Sequence, residues 1–208
     1  MAEALFCNLL DELKADGIEA VALGGGEPTL HPLLPEMLGA VRQQGLRAGL
    51  TTNGFNPHLV LELADQGYLE SFGVSAGKGE WLRLVSHPRA IVNLLLLQDG
   101  MNVTIRQAAT AMLRGAKCLL LLGYKGARSE FMPSSTELSD VFTMLNILGR
   151  KLGVTIAADD NIRRRFGLTT TCGVGFLRVR IDGTREPCCF ANCEFRAVPQ
   201  PISPKIHR

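Results

Sequence analysis

The sequence predicts an α/β fold of parallel βα units, on three observations. Short apolar runs alternate along most of the chain with segments whose apolar residues recur every three or four positions, the pattern of strands followed by amphipathic helices. Cys118-Leu119-Leu120-Leu121-Leu122 is apolar without alternation, which suits a parallel strand covered on both faces. Several runs end abruptly in glycine or small polar residues, where a chain turns from strand to helix. Right-handed crossovers wind such units into a barrel or an open doubly wound sheet.

The elements follow in order. Residues 3–15 carry Ala4, Leu5, Leu9, Leu10 and Leu13 at helical spacing and stop at Asp16-Gly17. A strand over 18–23 runs into Gly24-Gly25-Gly26-Glu27-Pro28. Pro32 suits the first turn of a second helix, whose Leu34, Met37, Leu38 and Val41 lead to Gln44-Gly45. A strand over 46–52 ends in Asn53-Gly54-Phe55, a helix covers 57–66, and a strand over 69–75 ends at Ser75-Ala76-Gly77. The rhythm continues with a strand over 90–98, a helix over 104–115 and a strand over 117–123. Helix 136–151, capped by Ser134 or Ser135, precedes a last short strand over 154–157.

A chain of 208 residues, 46% hydrophobic and 20% charged, can bury one proper core with a small appendage. A net charge of +2 and a pI near 8.3 give no electrostatic argument for nucleic acid or a membrane surface. Arg163-Arg164-Arg165, the one basic run, reads as a solvated helix face. No segment reaches the roughly 18 uninterrupted apolar residues of a membrane span. Met1-Ala2-Glu3-Ala4 lacks the basic start of a secretion signal, so the expected location is cytoplasmic. Six cysteines in such a chain read as reduced thiols, some available to metal, and not as a disulfide scaffold.

In either winding, ligands gather at the carboxyl ends of parallel strands. The loop at 24–27, Thr51 to Gly54, Ser75 to Gly77 and Gly123-Tyr124-Lys125 all follow strands, so they line one rim, the strongest sign in the residues of a small-molecule site. Lys125 and Arg128 could pair there with a ligand carboxylate or simply meet solvent. His31 and His58 read as capping residues, Phe72 and Trp81 as packing.

The string Gly24-Gly25-Gly26-Glu27-Pro28-Thr29-Leu30 resembles the GGEP signature of the radical S-adenosylmethionine (SAM) enzymes, and Thr51-Thr52-Asn53-Gly54 resembles the TNG that closes their third strand. Val74-Ser75 falls where that family's fourth strand meets the SAM ribose. The similarity covers about residues 3–158 and implies a partial (β/α)6 barrel lacking its first strand, with 159–208 as a C-terminal extension. It implies that Gly24, Gly25, Gly26, Glu27 and Pro28 with Thr52 and Asn53 form the cofactor loop. Gly25, Gly26 and Glu27 would hold the methionyl ammonium, Ser75 would meet the ribose, and Asn93 and Gly123 would border the adenine. In that family SAM chelates a [4Fe-4S] cluster, an external donor supplies the electron, and a 5′-deoxyadenosyl radical abstracts hydrogen from substrate. The Cys-x3-Cys-x2-Cys that holds the cluster does not occur in this sequence. The expectation is a piece of a longer enzyme, inactive alone; the alternative is a non-catalytic SAM- or nucleotide-binding module. A barrel that binds phosphate at the glycine loop is disfavoured by Glu27, whose carboxylate repels an anion.

Cys172, then residues 176–181, Asp182-Gly183 and 187–190, read as a β-hairpin with an Asp-Gly turn. This is similar to the hairpin of SPASM and twitch extensions, which implies Cys172, Cys188 and Cys193 as ligands of an auxiliary [4Fe-4S] cluster and a peptide or protein as substrate. Reduced thiols without metal are an equal reading, and zinc a lesser one.

Overall fold

The computed structural model describes residues 3–168, 175–188, 190 and 195. Helix α1 (Glu3–Ala15) leads into β1 (Ala20–Leu23), α2 (Leu34–Gln43), β2 (Arg47–Thr52), α3 (Pro57–Asp65) and β3 (Ser71–Ser75). Strand β4 (Ala90–Leu96), α4 (Met101–Leu113), β5 (Cys118–Gly123), α5 (Ser135–Leu152), β6 (Thr155–Ala158) and α6 (Asp160–Arg165) follow. A hairpin of β7 (Arg178–Val179) and β8 (Arg185–Glu186) completes the described elements.

Six strands stand in the order β1-β2-β3-β4-β5-β6, each parallel to the next. A doubly wound sheet reverses its strand order at a switch point; this sheet never reverses, so right-handed crossovers carry every helix over the same face. The winding is therefore the barrel type. Burial follows from it: in β4, Ala90, Val92, Leu94 and Leu96 are buried, and in β5, Leu119 and Leu121. They pack in one core with Leu34, Leu38 and Val41 of α2, Val60 and Leu63 of α3, Ala108, Ala111 and Met112 of α4, and Leu138 and Leu145 of α5.

The other face corrects one expectation. The run from Cys118 to Leu122 is covered on one side only: Cys118, Leu120 and Leu122 are half-buried while Leu119 and Leu121 are inaccessible. Helices α2 to α5 pack against the opposite face, so apolarity on this one belongs to the inner lining of the barrel-type winding. Register divides that lining. Ala22 stands beside Gly49, Thr51 beside Gly73, and Ser75 beside Asn93, giving small and polar residues from β1 to the middle of β4. Beyond them Asn93 adjoins Leu120, and Leu95 adjoins Leu122, giving an apolar half.

Several boundaries move for local reasons. Ile18 and Glu19 link α1 to β1 instead of opening the strand, and α4 begins at Met101 because a 3-10 turn over Gln98–Gly100 delivers the chain into it. Ser134 caps α5, its hydroxyl accepting from the Glu137 N–H while the Glu137 side chain reaches back to the Ser134 N–H, a capping box. The second hairpin strand is Arg185–Glu186 and not 187–190; Pro187 has no N–H to give a ladder. Arg185 ties the hairpin to α1, meeting Glu12 at 2.6 Å and Asp16 at 2.9 Å. Farther on, the Lys125 ammonium lies 4.6 Å from the Phe190 ring. Phe72 and Trp81 are buried packing residues, as expected. Among the described residues no helix is long and apolar enough to cross a membrane.

The two faces of β4 give a direct check. Leu94 is fully buried and Leu95 is 46% exposed, so Leu94→Ala should cost about 2–5 kcal/mol of unfolding free energy and Leu95→Ala less than about 1 kcal/mol, by urea denaturation. Equal losses would refute the assignment of faces.

Candidate ligand-binding rim

The carboxyl ends of β1, β2 and β3 form the centre of the rim. After Leu23 the main chain passes through Gly25 at φ 90° and Gly26 at φ 62°, left-handed conformations that other residues adopt at a cost. Gly24 has no such need. A Cβ at any of the three would meet no atom within 4 Å, so these glycines do not make room for other parts of the protein. No main-chain N–H or C=O of Gly24, Gly25 or Gly26 is paired among the described residues. Three donors and three acceptors thus stand unspent and exposed at one strand end.

Glu27 is the reverse case, because its carboxylate is occupied by the protein itself. Oε1 accepts from the Thr29 hydroxyl at 2.7 Å, the Thr52 hydroxyl at 2.9 Å and the Thr29 N–H at 3.2 Å; Oε2 accepts from the Asn53 N–H at 2.6 Å. Glu27 also caps the 3-10 turn Pro28–Leu30. Burial raises its pKa, but the hydrogen bonds from the Asn53 main chain, the two threonine hydroxyls and the Thr29 main chain outweigh it and hold the group below 4.5.

The predicted site residues therefore fall into two sets. Gly24, Gly25, Gly26, the Ser75 hydroxyl and the Asn93 side-chain amide have no hydrogen bond to another described residue and face the open side. Thr52 is 1% exposed, donating to Glu27 and accepting from the Gly54 N–H at 3.0 Å. Asn53 gives its N–H to Glu27, and its Oδ1 accepts from the Phe55 N–H at 3.0 Å. Pro28 is buried. Gly123 is buried beneath the Asn161 side chain, where a Cβ would collide, and its N–H is directed at Asp159. Gly54 likewise has a packing reason: a Cβ there would come within 2.8 Å of the Trp81 main-chain nitrogen.

Lys125 does not wait for a ligand. Its ammonium lies 2.7 Å from Asp159 Oδ2, both side chains mostly covered, and Asp159 Oδ1 caps α6 by accepting from the Ile162 N–H at 3.0 Å. Arg128 is paired with Glu130 at 2.7 Å. His31 accepts from the Leu33 N–H at 3.2 Å, whereas His58 meets Arg83 and leaves the α3 cap to Asn56. Sequence reasoning missed Thr29 and Asp159. A Glu-Pro-Thr string is the one local signal for Thr29, since a capping acid ahead of proline invites a hydroxyl two residues on.

No metal centre is assembled among the described residues: no group of three or more His, Cys, Asp or Glu could hold an ion. Burial raises the Cys118 pKa, favouring the thiol, and Cys7, Cys118 and Cys188 are free. The residues described therefore do not fit an iron–sulfur cluster. Cys172 and Cys193 lie outside the described residues.

The Glu27 linkage has a definite sign. A folded pKa below the unfolded value stabilises fully above about 4.5, and the contribution is lost as pH falls through the folded pKa. Glu27→Gln does not titrate, so the deficit of this variant relative to wild type should be constant above about pH 6 and shrink toward pH 3, by thermal unfolding across pH. A deficit independent of pH from 7 to 3 would contradict the bonding of Glu27.

No family model matches the chain. In known structures it is similar to Streptococcus suis SuiB bound to precursor peptide SuiA, with a TM-score of 0.68 and 14% identity over 88% of this chain and 52% of that one. It is also similar to anSMEcpe bound to AdoMet and a peptide, with a TM-score of 0.61 and 13% identity over 92% of this chain and 67% of that one. Among curated proteins, a 46-residue segment is 41% identical to Fe-coproporphyrin III synthase of Methanosarcina barkeri, covering 22% of this chain and 12% of that protein. A 67-residue segment is 36% identical to the tungsten-containing aldehyde ferredoxin oxidoreductase cofactor-modifying protein of Pyrococcus furiosus, covering 30% of this chain and 19% of that protein. The chain thus spans about half the length of SuiB, and its matched segments span less of the curated relatives. The chain shares the fold of these solved structures, and its glycine-loop and Thr-Asn-Gly strings stand at the ends of the adjacent strands β1 and β2.

Proposed function

We propose that the rim binds SAM, and that in the form of the protein that carries a cluster motif SAM is cleaved reductively for radical modification of a peptide or protein substrate. The observation that carries the binding reading is the set of six unspent main-chain groups at Gly24, Gly25 and Gly26. The methionyl end of SAM carries an ammonium and a carboxylate, and a loop offering carbonyls and N–H groups together satisfies both. Leaving such groups desolvated and unpaired costs about 1–3 kcal/mol each, so their match to both ends of the amino acid supports SAM. Ser75 and Asn93, side by side on β3 and β4, would take the ribose and adenine. Phosphate suits N–H groups alone and would be repelled by the ionised Glu27 behind the loop.

SAM is supported by neighbours solved with S-adenosylmethionine or AdoMet, and a peptide substrate by neighbours solved with peptides. The described residues would contribute binding and orientation, since Cys-x3-Cys-x2-Cys does not occur in this sequence. That same observation favours a second reading, a SAM- or nucleotide-binding module without redox chemistry.

Titration calorimetry of the 208-residue chain with SAM tests the binding. Gly24→Val should leave stability within about 1 kcal/mol, since its Cβ meets nothing within 4 Å, yet weaken SAM about tenfold or more by filling the ligand's space. Unchanged affinity would refute the site. For the reaction, a longer form carrying Cys-x3-Cys-x2-Cys, reconstituted anaerobically and reduced, should release 5′-deoxyadenosine. SAM bound without cleavage would leave the binding-module reading in its place.

A further inference from the structure

The loops that follow β1, β2 and β3 are locked to one another. Glu27 joins the first to the second through the Thr52 hydroxyl and the Asn53 N–H. The second and third interlock at glycines: a Cβ on Gly79 would stand 2.7 Å from the Asn53 carbonyl oxygen and 2.8 Å from that of Gly54. The Glu80 N–H donates to the Gly54 carbonyl at 3.0 Å, and the Trp81 N–H to the Lys78 carbonyl at 3.2 Å. Before Lys78, a Cβ on Gly77 would collide with the Gln107 side-chain amide of α4. Close packing on both sides thus fixes the main chain that carries Lys78.

Two kinds of exposed side chain stand on this shelf. Leu30 is 62% exposed and Phe55 63%, one on each of the first two loops. Lys78, on the third, is exposed and its ammonium has no ion pair or hydrogen bond among the described residues. Other cations at the strand ends are neutralised: Arg83 by Glu80 at 2.8 Å, Lys125 by Asp159 at 2.7 Å and Arg128 by Glu130 at 2.7 Å. The acids of the three loops are engaged as well, Glu27 by four hydrogen bonds and Glu80 by Arg83. The charge left unspent there is positive, and it lies beside apolar surface.

We propose that this shelf docks an acidic peptide, with Lys78 taking a side-chain carboxylate and Leu30 and Phe55 taking apolar side chains next to it. This rests on the reading of a peptide substrate given above and names its chemical class. Exposed aromatic residues are the usual anchors of such contacts, and loops already fixed lose little entropy on binding. The cation selects glutamate or aspartate over their amides. One unpaired cation is too few for a nucleic-acid backbone, whose binding grows with the number of phosphates neutralised.

Fluorescence anisotropy on the full 208-residue chain tests this with three labelled nonapeptides. The first alternates glutamate and leucine, the second has glutamine for every glutamate, and the third has alanine for every leucine. Wild type should bind the first about tenfold tighter than either of the others. Lys78→Glu should weaken the first about tenfold while leaving the glutamine peptide within about twofold of wild type. Phe55→Ser should weaken both leucine peptides about tenfold. Lys151→Glu, on the exposed surface of α5, should leave all three within about twofold. Equal binding of the glutamate and glutamine peptides by wild type, or equal losses in Lys78→Glu and Lys151→Glu, would overturn the proposal. Calorimetry with SAM on the same samples separates the two readings. SAM bound without any peptide preference refutes the shelf alone, whereas the preference without SAM binding upholds the shelf and removes the SAM reading.

Discussion

The structure of the rim depends on one half-buried junction, the Glu27 carboxylate held between the Thr29 and Thr52 hydroxyls and the Asn53 main chain. Among the described residues strand β1 pairs on one side only and over four residues, and parallel ladders are slightly weaker per residue than antiparallel ones. Its last turn would be the easiest part of the sheet to fray. Four charge-assisted hydrogen bonds hold it in place, two from Thr52 of β2 and the residue after it and two from Thr29 in the turn that follows Glu27. A loop with left-handed Gly25 and Gly26, which sacrifices more chain entropy on ordering than any other sequence, is thereby fixed at both ends.

This junction explains why one motif contains residues of opposite character. The glycines leave their main-chain groups unpaired among the described residues, while Glu27 and Thr29 bond within the protein and Pro28 is buried. The sheet behind them repeats the division on a larger scale. One face is sealed by helices, and the other runs from small and polar beside β1 to apolar beside β5. A ligand with a charged end and a long body would lie along that gradient. At the far side, Lys125 and Asp159 form a covered ion pair, with the Phe190 ring against the Lys125 ammonium.

The fold was legible because its signals are local and repeated. Leu34, Leu38 and Val41, or Ala90, Val92 and Leu94, declare their period within a few residues, and burial obeys it. What could not be read is what depends on partners distant in sequence. Nothing local in the sequence shows that Glu27 bonds to Thr52 and Asn53 of the next strand end. Nor does it show that Gly54 and Gly123 stand against Trp81 and Asn161. The apolar run at Cys118 to Leu122 could not reveal whether a second layer of helices or a concavity faced it. The hairpin's second strand shifted by two residues because Pro187 was counted as a ladder member. The clustered cysteines at 172 and 193, whose spacing carried the auxiliary-cluster expectation, lie outside the described residues.

The central claim is that the unpaired main chain at the end of β1 receives the amino-acid end of SAM. Amide-resolved NMR of the isotope-labelled chain during SAM titration tests it most directly. The account predicts saturable shifts at Gly24, Gly25, Gly26 and Ser75, with the amides of α2 and α4 unmoved. Shifts centred elsewhere, or none at saturating SAM, would contradict it.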